Sequence, residues 1–324
     1  MDDLTRESFE QYIKEEEPDK RLRSYAWYTG IGLQAVDGLK TSKYLQELAI
    51  RNIEGEISLD EAQKLLTSYY KERPESEHSS ENQGRTHEAD QVSLRITDIL
   101  SENAFSFTPT EYIAIHRRLF EGIYKHAGQI RDYNISKNEW VLDGKTVIYG
   151  SASELRATLE YDITQEDKFS FQGLTMEEAI RHLALFVSRL WQIHVFGEGN
   201  TRTTAVFFIK YLRKLGLSAT NDIFAENAWY FRNAMVRANY SDIQNGVYET
   251  TEYLELFLRN LLYGEHNKLS NRAMHISGAL EASSKPDIGT EKPDIGTEKP
   301  DIETVVNHAI PGHGKGKYKF SLNT

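Results

Sequence analysis

Apolar residues recur at helical spacing along most of this chain. Ser42 can cap a helix that carries Leu45, Leu48 and Ala49 on one side. Ser58-Leu59-Asp60-Glu61 has the form of a capping box, and Ala62, Leu65, Leu66 and Tyr69 then trace one apolar face. Thr108-Pro109-Thr110-Glu111 opens another helix, with Ile113, Ile115, Leu119 and Phe120 behind it. The strongest pattern runs from Met176 to Ile193. Thr175 and Glu178 form the capping pair, Ile180, Leu183, Val187 and Leu190 share a stripe, and Ala184 and Trp191 lie beside it. A further helix is predicted from Ala205, Phe208, Ile209 and Leu212, with Asn200 as its N-cap and Gly216 as its stop. Only between Ile135 and Ser151 does the period change. There Trp140-Val141-Leu142, Asp143-Gly144 and Thr146-Val147-Ile148-Tyr149 predict a β-hairpin with a tight turn.

These patterns divide the chain into four parts. Residues 1–73 read as a small helical region, 74–90 as a polar linker, 91–264 as the main helical domain, and 265–324 as a tail expected to be largely disordered. In the tail, Lys285-Pro286-Asp287-Ile288-Gly289-Thr290-Glu291 recurs from Lys292 to Glu298 and begins again at Lys299. Seven residues would suit a heptad. One apolar residue per copy, with Pro and Gly, cannot sustain a coiled coil, so the repeat reads as a spacer.

Composition narrows the function. With 324 residues and 39% hydrophobic content, the chain can bury one large core or two modest ones. A formal charge of −11 argues against a general nucleic-acid binder, so no direct nucleic-acid partner is expected. The absence of cysteine excludes disulfides, thiolate metal sites and a cysteine nucleophile. No signal peptide is visible and no apolar run approaches ~18 residues, so the expectation is a cytoplasmic protein without a membrane span.

The chemistry gathers between the two strongest helices, in His194-Val195-Phe196-Gly197-Glu198-Gly199-Asn200-Thr201-Arg202. A helix beginning near Asn200 presents unpaired N–H groups and a partial positive charge, which attract phosphate. Gly199 lets the backbone come close to an anion, and Arg202 adds a cationic fork. Glu198 would repel a phosphate unless Mg²⁺ lay between them, and Mg²⁺ favours one carboxylate plus phosphate oxygens. His194, at the mouth of this anion site, has the pKa range of a general base.

This segment resembles the signature of Fic-domain proteins, His-x-Phe-x-(Asp/Glu)-Gly-Asn-Gly-Arg-x-x-Arg. Gly128-Gln129-Ile130-Arg131-Asp132-Tyr133 through Tyr149 is similar to the family's target-docking flap and its lead-in. The resemblance spans roughly residues 91–264. It implies a mainly α, Fic-type helical bundle with a β-hairpin flap, and a protein adenylyltransferase that moves AMP from ATP to a Ser, Thr or Tyr hydroxyl of a target protein. His194 would be the general base, Phe196 the loop anchor and Glu198 the Mg²⁺ ligand. Gly197, Gly199, Asn200, Thr201 and Arg202 would line the ATP phosphates, and Val147, Ile148 and Tyr149 would clamp the target by strand addition.

Two positions depart from the signature. Thr201 stands where the family has Gly, and Ala205 where it has the final Arg that grips the γ-phosphate. Phosphotransfer, another nucleotide donor, or a non-catalytic interaction module therefore compete with AMP transfer. In the N-terminal region, Leu33-Gln34-Ala35-Val36-Asp37-Gly38-Leu39 resembles the inhibitory motif of Fic antitoxins, with Leu33 for Ser/Thr and Asp37 for Glu. The resemblance implies a toxin–antitoxin type of contact between that region and the domain, with Asp37 and Gly38 as regulatory residues. Because position 205 is alanine, Asp37 is expected to lack its arginine partner.

Overall fold

The structure, a computed structural model, describes residues 18–72, 81–219 and 222–277. Twelve α-helices among these residues make up the fold. The N-terminal region holds α1 (Pro18–Gly32), a 3₁₀ turn (Leu33–Asp37), α2 (Lys43–Ile53) and α3 (Leu59–Lys71). The main domain follows with α4 (Glu81–Ser101), α5 (Pro109–Phe120), α6 (Leu155–Asp167), α7 (Met176–Ile193), α8 (Asn200–Lys214), α9 (Asp222–Glu226), α10 (Ala228–Ala238), α11 (Glu252–Tyr263) and α12 (Asn271–Met274). No strand occurs among the described residues beyond one isolated bridge, Asp242 with Val247.

The caps form as the sequence predicts. Ser42 accepts from the Leu45 amide, Ser58 and Glu61 make a reciprocal box, and Thr175 and Glu178 make another. Each satisfies helix N–H groups that would otherwise be orphaned. The buried stripe of α7 and the nearly all-round burial of α8 place these two helices at the centre of the larger core, with Phe207, Phe208, Leu190 and Val187 fully inside. A helix buried on every side belongs in the middle of its domain. Its cations end up against the C-terminus of α4, where Lys210 donates to the Ile99 carbonyl (3.1 Å) and Arg213 to that of Leu100 (2.6 Å). Those carbonyls have no partner within their own helix.

Two expectations are corrected. The stretch read as linker contains the first turns of α4, which begins at Glu81 and runs without a break into the main domain. Polar composition misled here, because α4 has one face on α1 and α3 and keeps Asp90 buried for Ser42 and Tyr70 (2.8 and 2.7 Å). Within the stretch read as tail, residues 265–277 are described and pack on the domain. Met274 is buried, and the Ile276 amide donates to the Val141 carbonyl (3.0 Å). The repeats lie outside the described residues.

The predicted β-hairpin is not one. Trp140–Leu142 forms a 3₁₀ turn closed by Asp143 and Gly144, both with positive φ (57° and 81°). The Asp-Gly turn is therefore real, and the Glu139 amide still reaches across it to the Lys145 carbonyl (3.0 Å). Val141 and Leu142 bury themselves in the core instead of extending a strand. The second arm is extended and alternates, with Val147 and Tyr149 inside and Ile148 84% exposed.

Candidate active site

Helix α7 ends at Ile193, and His194 caps it in the left-handed region (φ 51°, ψ 59°). A non-glycine residue there is uncommon, and such strain persists only where the surroundings impose it. Arg131 imposes it here. Its Nε donates to the His194 carbonyl (2.7 Å), its Nη2 to the Gly150 carbonyl (2.6 Å), and its Nη1 to the Tyr133 carbonyl. One guanidinium thus ties the histidine to both the lead-in loop and the extended arm.

The imidazole is 4% exposed, and both ring nitrogens are buried without a hydrogen-bond partner. The ring lies against Tyr149 (4.3 Å between centroids) and edge-on to Trp191 (5.3 Å). Burial, with Lys137, Arg131 and Arg232 adding positive charge, holds His194 well below the ordinary imidazole range. The same burial and charges favour the neutral ring.

The loop after His194 is built by side chains. Phe196 is fully buried and stacks on His116 at 3.6 Å. His116 accepts from the Gly128 amide at Nδ1 (2.8 Å), so its Nε2 is the nitrogen that donates to the Glu198 carbonyl (3.0 Å). Asn200 clamps Phe196 at both its amide (3.0 Å) and its carbonyl (2.7 Å). Asn200 was expected to be the N-cap, but Gly199 occupies that place with φ 75°, and Asn200 is the first residue of α8. Only glycine fits at 199: a Cβ would fall 2.4 Å from the Phe120 ring. A Cβ at Gly197 would lie 2.6 Å from the Tyr133 hydroxyl. Thr201, at the position of a signature glycine, accepts from Trp191 Nε1 (3.0 Å).

Glu198 points outward, 43% exposed, with its Oε2 3.2 Å from Lys137 Nζ. Arg202 points the other way. It is 1% exposed, with Asp37 Oδ2 at 2.9 Å from Nε, Gln34 Oε1 at 3.0 Å from Nη1, and Glu88 Oε1 at 2.7 Å from Nη2. Its plane lies over Phe120, 4.8 Å from the centroid. The expectation that Asp37 lacks an arginine is therefore corrected. Gly38, left-handed at φ 64°, ends the 3₁₀ turn and brings Asp37 to the first signature arginine, not the second. Position 205 is fully buried in the core.

These residues surround one recess, lined by Asp37, Lys137, His194, Glu198, Gly199, Asn200, Thr201 and Arg232. The extended arm with Val147, Ile148 and Tyr149 borders it through Tyr149, and Ile148 is held by Gln192 Nε2 at its carbonyl (3.0 Å). Several residues that line the recess or hold its walls were not legible beforehand. His116, Lys137, Glu88 and Arg232 lie far apart in the chain and carry no motif. Arg131 lies in the recognised lead-in, but nothing in its spacing shows that it grips His194.

A glycine turn, a helix N-terminus and a buried histidine thus meet at one recess. Residues 106–212 match the model of the Fic/DOC family, so this part of the chain is a Fic-family domain. That family is known for transferring nucleotide or phosphate groups to proteins. No curated protein matches the chain. Among solved structures it is similar to the N-terminal FIC domain of Bep8, a VirB-translocated effector of Bartonella sp. 1-1C. That match has 20% identity and a TM-score of 0.44, and covers 56% of this chain and 86% of that one. It is also similar to the N-terminal Fic domain of a Bartonella effector protein from Bartonella sp. AR 15-3, with 19% identity, a TM-score of 0.45, and coverage of 56% and 83%.

Proposed function

We propose that the domain is a protein adenylyltransferase that uses His194 as its general base. The observation that carries this reading is the imidazole itself: buried, neutral, and without a partner at either nitrogen, beside the start of α8. A buried polar group left unpaired costs about 1–3 kcal/mol, so its place at a recess calls for a ligand.

In the proposed reaction His194 takes the proton of a Ser, Thr or Tyr hydroxyl. The hydroxyl oxygen forms a bond to the α-phosphorus of ATP, and the bond from that phosphorus to the bridging oxygen of pyrophosphate breaks. The amides of Gly199, Asn200 and Thr201 open toward the phosphates at the positive end of α8. Ile148, exposed on the extended arm, offers the edge on which a target segment docks. Arg131 holds His194 in place, and His116 holds the backbone of Glu198.

Mg²⁺ fits this site as a partner of phosphate. No group of three or more potential ligands occurs among the described residues, but Glu198 supplies one exposed carboxylate, the donor set Mg²⁺ uses when substrate oxygens and water complete its shell. Glu198 would hold the ion, which supplies charge neutralisation to the phosphates.

Phosphotransfer is the second reading, favoured by the missing arginine at 205 and by Thr201. ATP labelled at the α- or the γ-phosphate separates the two. AMP transfer leaves only the α-label on protein, whereas γ-label on protein shows phosphotransfer.

A further inference from the structure

We infer that the phosphates of the nucleotide are gripped by Lys137 and Arg232, from the lead-in loop and α10, and not by an arginine of α8. This rests on the transferase reading above. Arg202 is the cation that the signature offers, yet its Nη1 and Nη2 are hydrogen-bonded to Gln34 and Glu88, the Asp37 carboxylate lies 2.9 Å from its Nε, and the side chain is 1% exposed. Position 205 offers only a buried methyl group. Helix α8 thus brings an N-terminus to the recess but no available cation.

Two cations do border the recess. Lys137 Nζ lies 3.2 Å from Glu198 and is partly exposed, so its ammonium can turn to an incoming anion without leaving a buried charge behind. Arg232 is fixed more firmly. Its Nη1 is 2.7 Å from Oε2 of the fully buried Glu139, whose Oε1 accepts from Tyr149 (2.7 Å). Anchored at one corner, the guanidinium is pre-organised, and such a fork suits phosphate oxygens. The same two cations act on His194, whose unpartnered ring shares the recess with them. Two cations at one recess favour a polyphosphate over a monophosphate or a nucleoside, because it carries more negative charge and more oxygens to meet them.

The test is the affinity for ATP and for AMP, both with Mg²⁺, in the wild type, Lys137→Gln and Arg232→Gln. Arg232→Gln leaves Glu139 buried without its cation, so the double variant Glu139→Gln/Arg232→Gln is measured as well; it keeps an acceptor for Tyr149 and removes the charge. Each lost charge-assisted contact is expected to weaken ATP by about tenfold or more, with AMP changed far less. Wild-type binding of ATP with an unchanged ATP-to-AMP ratio in Lys137→Gln and in the double variant overturns the inference alone. A wild type that binds neither nucleotide overturns the transferase reading and the inference with it.

Discussion

Asp37 Oδ2 lies 2.9 Å from Nε of Arg202, and the two residues are joined across 165 positions of sequence by a 3₁₀ turn and the start of α8. The carboxylate is 39% exposed while the guanidinium is 1% exposed, so Asp37 is the member of the pair that faces the recess. The same 3₁₀ turn supplies Gln34, hydrogen-bonded back to the Gly30 carbonyl of α1, and α4 supplies Glu88. The N-terminal region is thereby wired to the signature helix.

Asp37→Asn should tighten ATP binding about fivefold. The substitution removes a negative charge from a recess that receives phosphate, worth roughly 1 kcal/mol at solvent-like screening. Arg202 keeps Glu88, so the fold survives. Titration of both proteins with ATP checks this, and weaker binding by the variant would mean that Asp37 supports the nucleotide.

Glu88→Gln should be costlier to stability than any exposed pair. Arg202 is buried, and breaking a buried pair from one side leaves charge uncompensated, typically a loss of ~3–5 kcal/mol. Asp37 remains as a second partner, so about 2 kcal/mol is expected here. Glu160→Gln, in an exposed pair with Arg156, should cost little. Urea unfolding of the two variants beside wild type gives the comparison; equal midpoints would show that Glu88 contributes nothing beyond a surface contact.

Stability should fall as pH drops below the ordinary imidazole range. Burial pushes His116 down to about 3, from an ordinary value of 6.5. The folded state therefore keeps His116 neutral where the unfolded chain binds a proton. Its contribution is fully present above about 6.5 and is lost as pH falls from 6.5 toward 3, at up to ~1.4 kcal/mol per pH unit. Protonation at Nδ1 would also break the bond from the Gly128 amide. In His116→Asn the slope of unfolding free energy between pH 6 and pH 5 should drop by close to one proton. An unchanged slope would show that His116 titrates normally.

Helix boundaries set by caps were legible in the sequence. Met176–Ile193 follows from Thr175, Glu178 and one apolar stripe, because capping and burial periodicity are local. The stretch read as a linker, whose second half is the start of α4, was misread for the complementary reason. Its polar residues are partners for other helices, and composition does not reveal a partner. The hairpin failed because the core took Val141 and Leu142, a tertiary demand that overrides a strand-like pattern. In the candidate site, the grouping of His194, Phe196 and Gly199 could be read because they lie within one loop. The Asp37–Arg202 pair could not, since the helical signature pointed to position 205 and only the path of the 3₁₀ turn decides which arginine the acid meets.

The central claim is that His194 removes the proton of the target hydroxyl during nucleotide transfer. The most direct measurement is incorporation of α-labelled ATP into protein by wild type and His194→Ala, with ATP affinity measured on the same preparations. Loss of a general base typically lowers rate by ~10²–10⁴, and the imidazole acts on the hydroxyl, so labelling should collapse while ATP affinity stays within a few-fold. Labelling by His194→Ala at a rate near that of wild type would contradict the account.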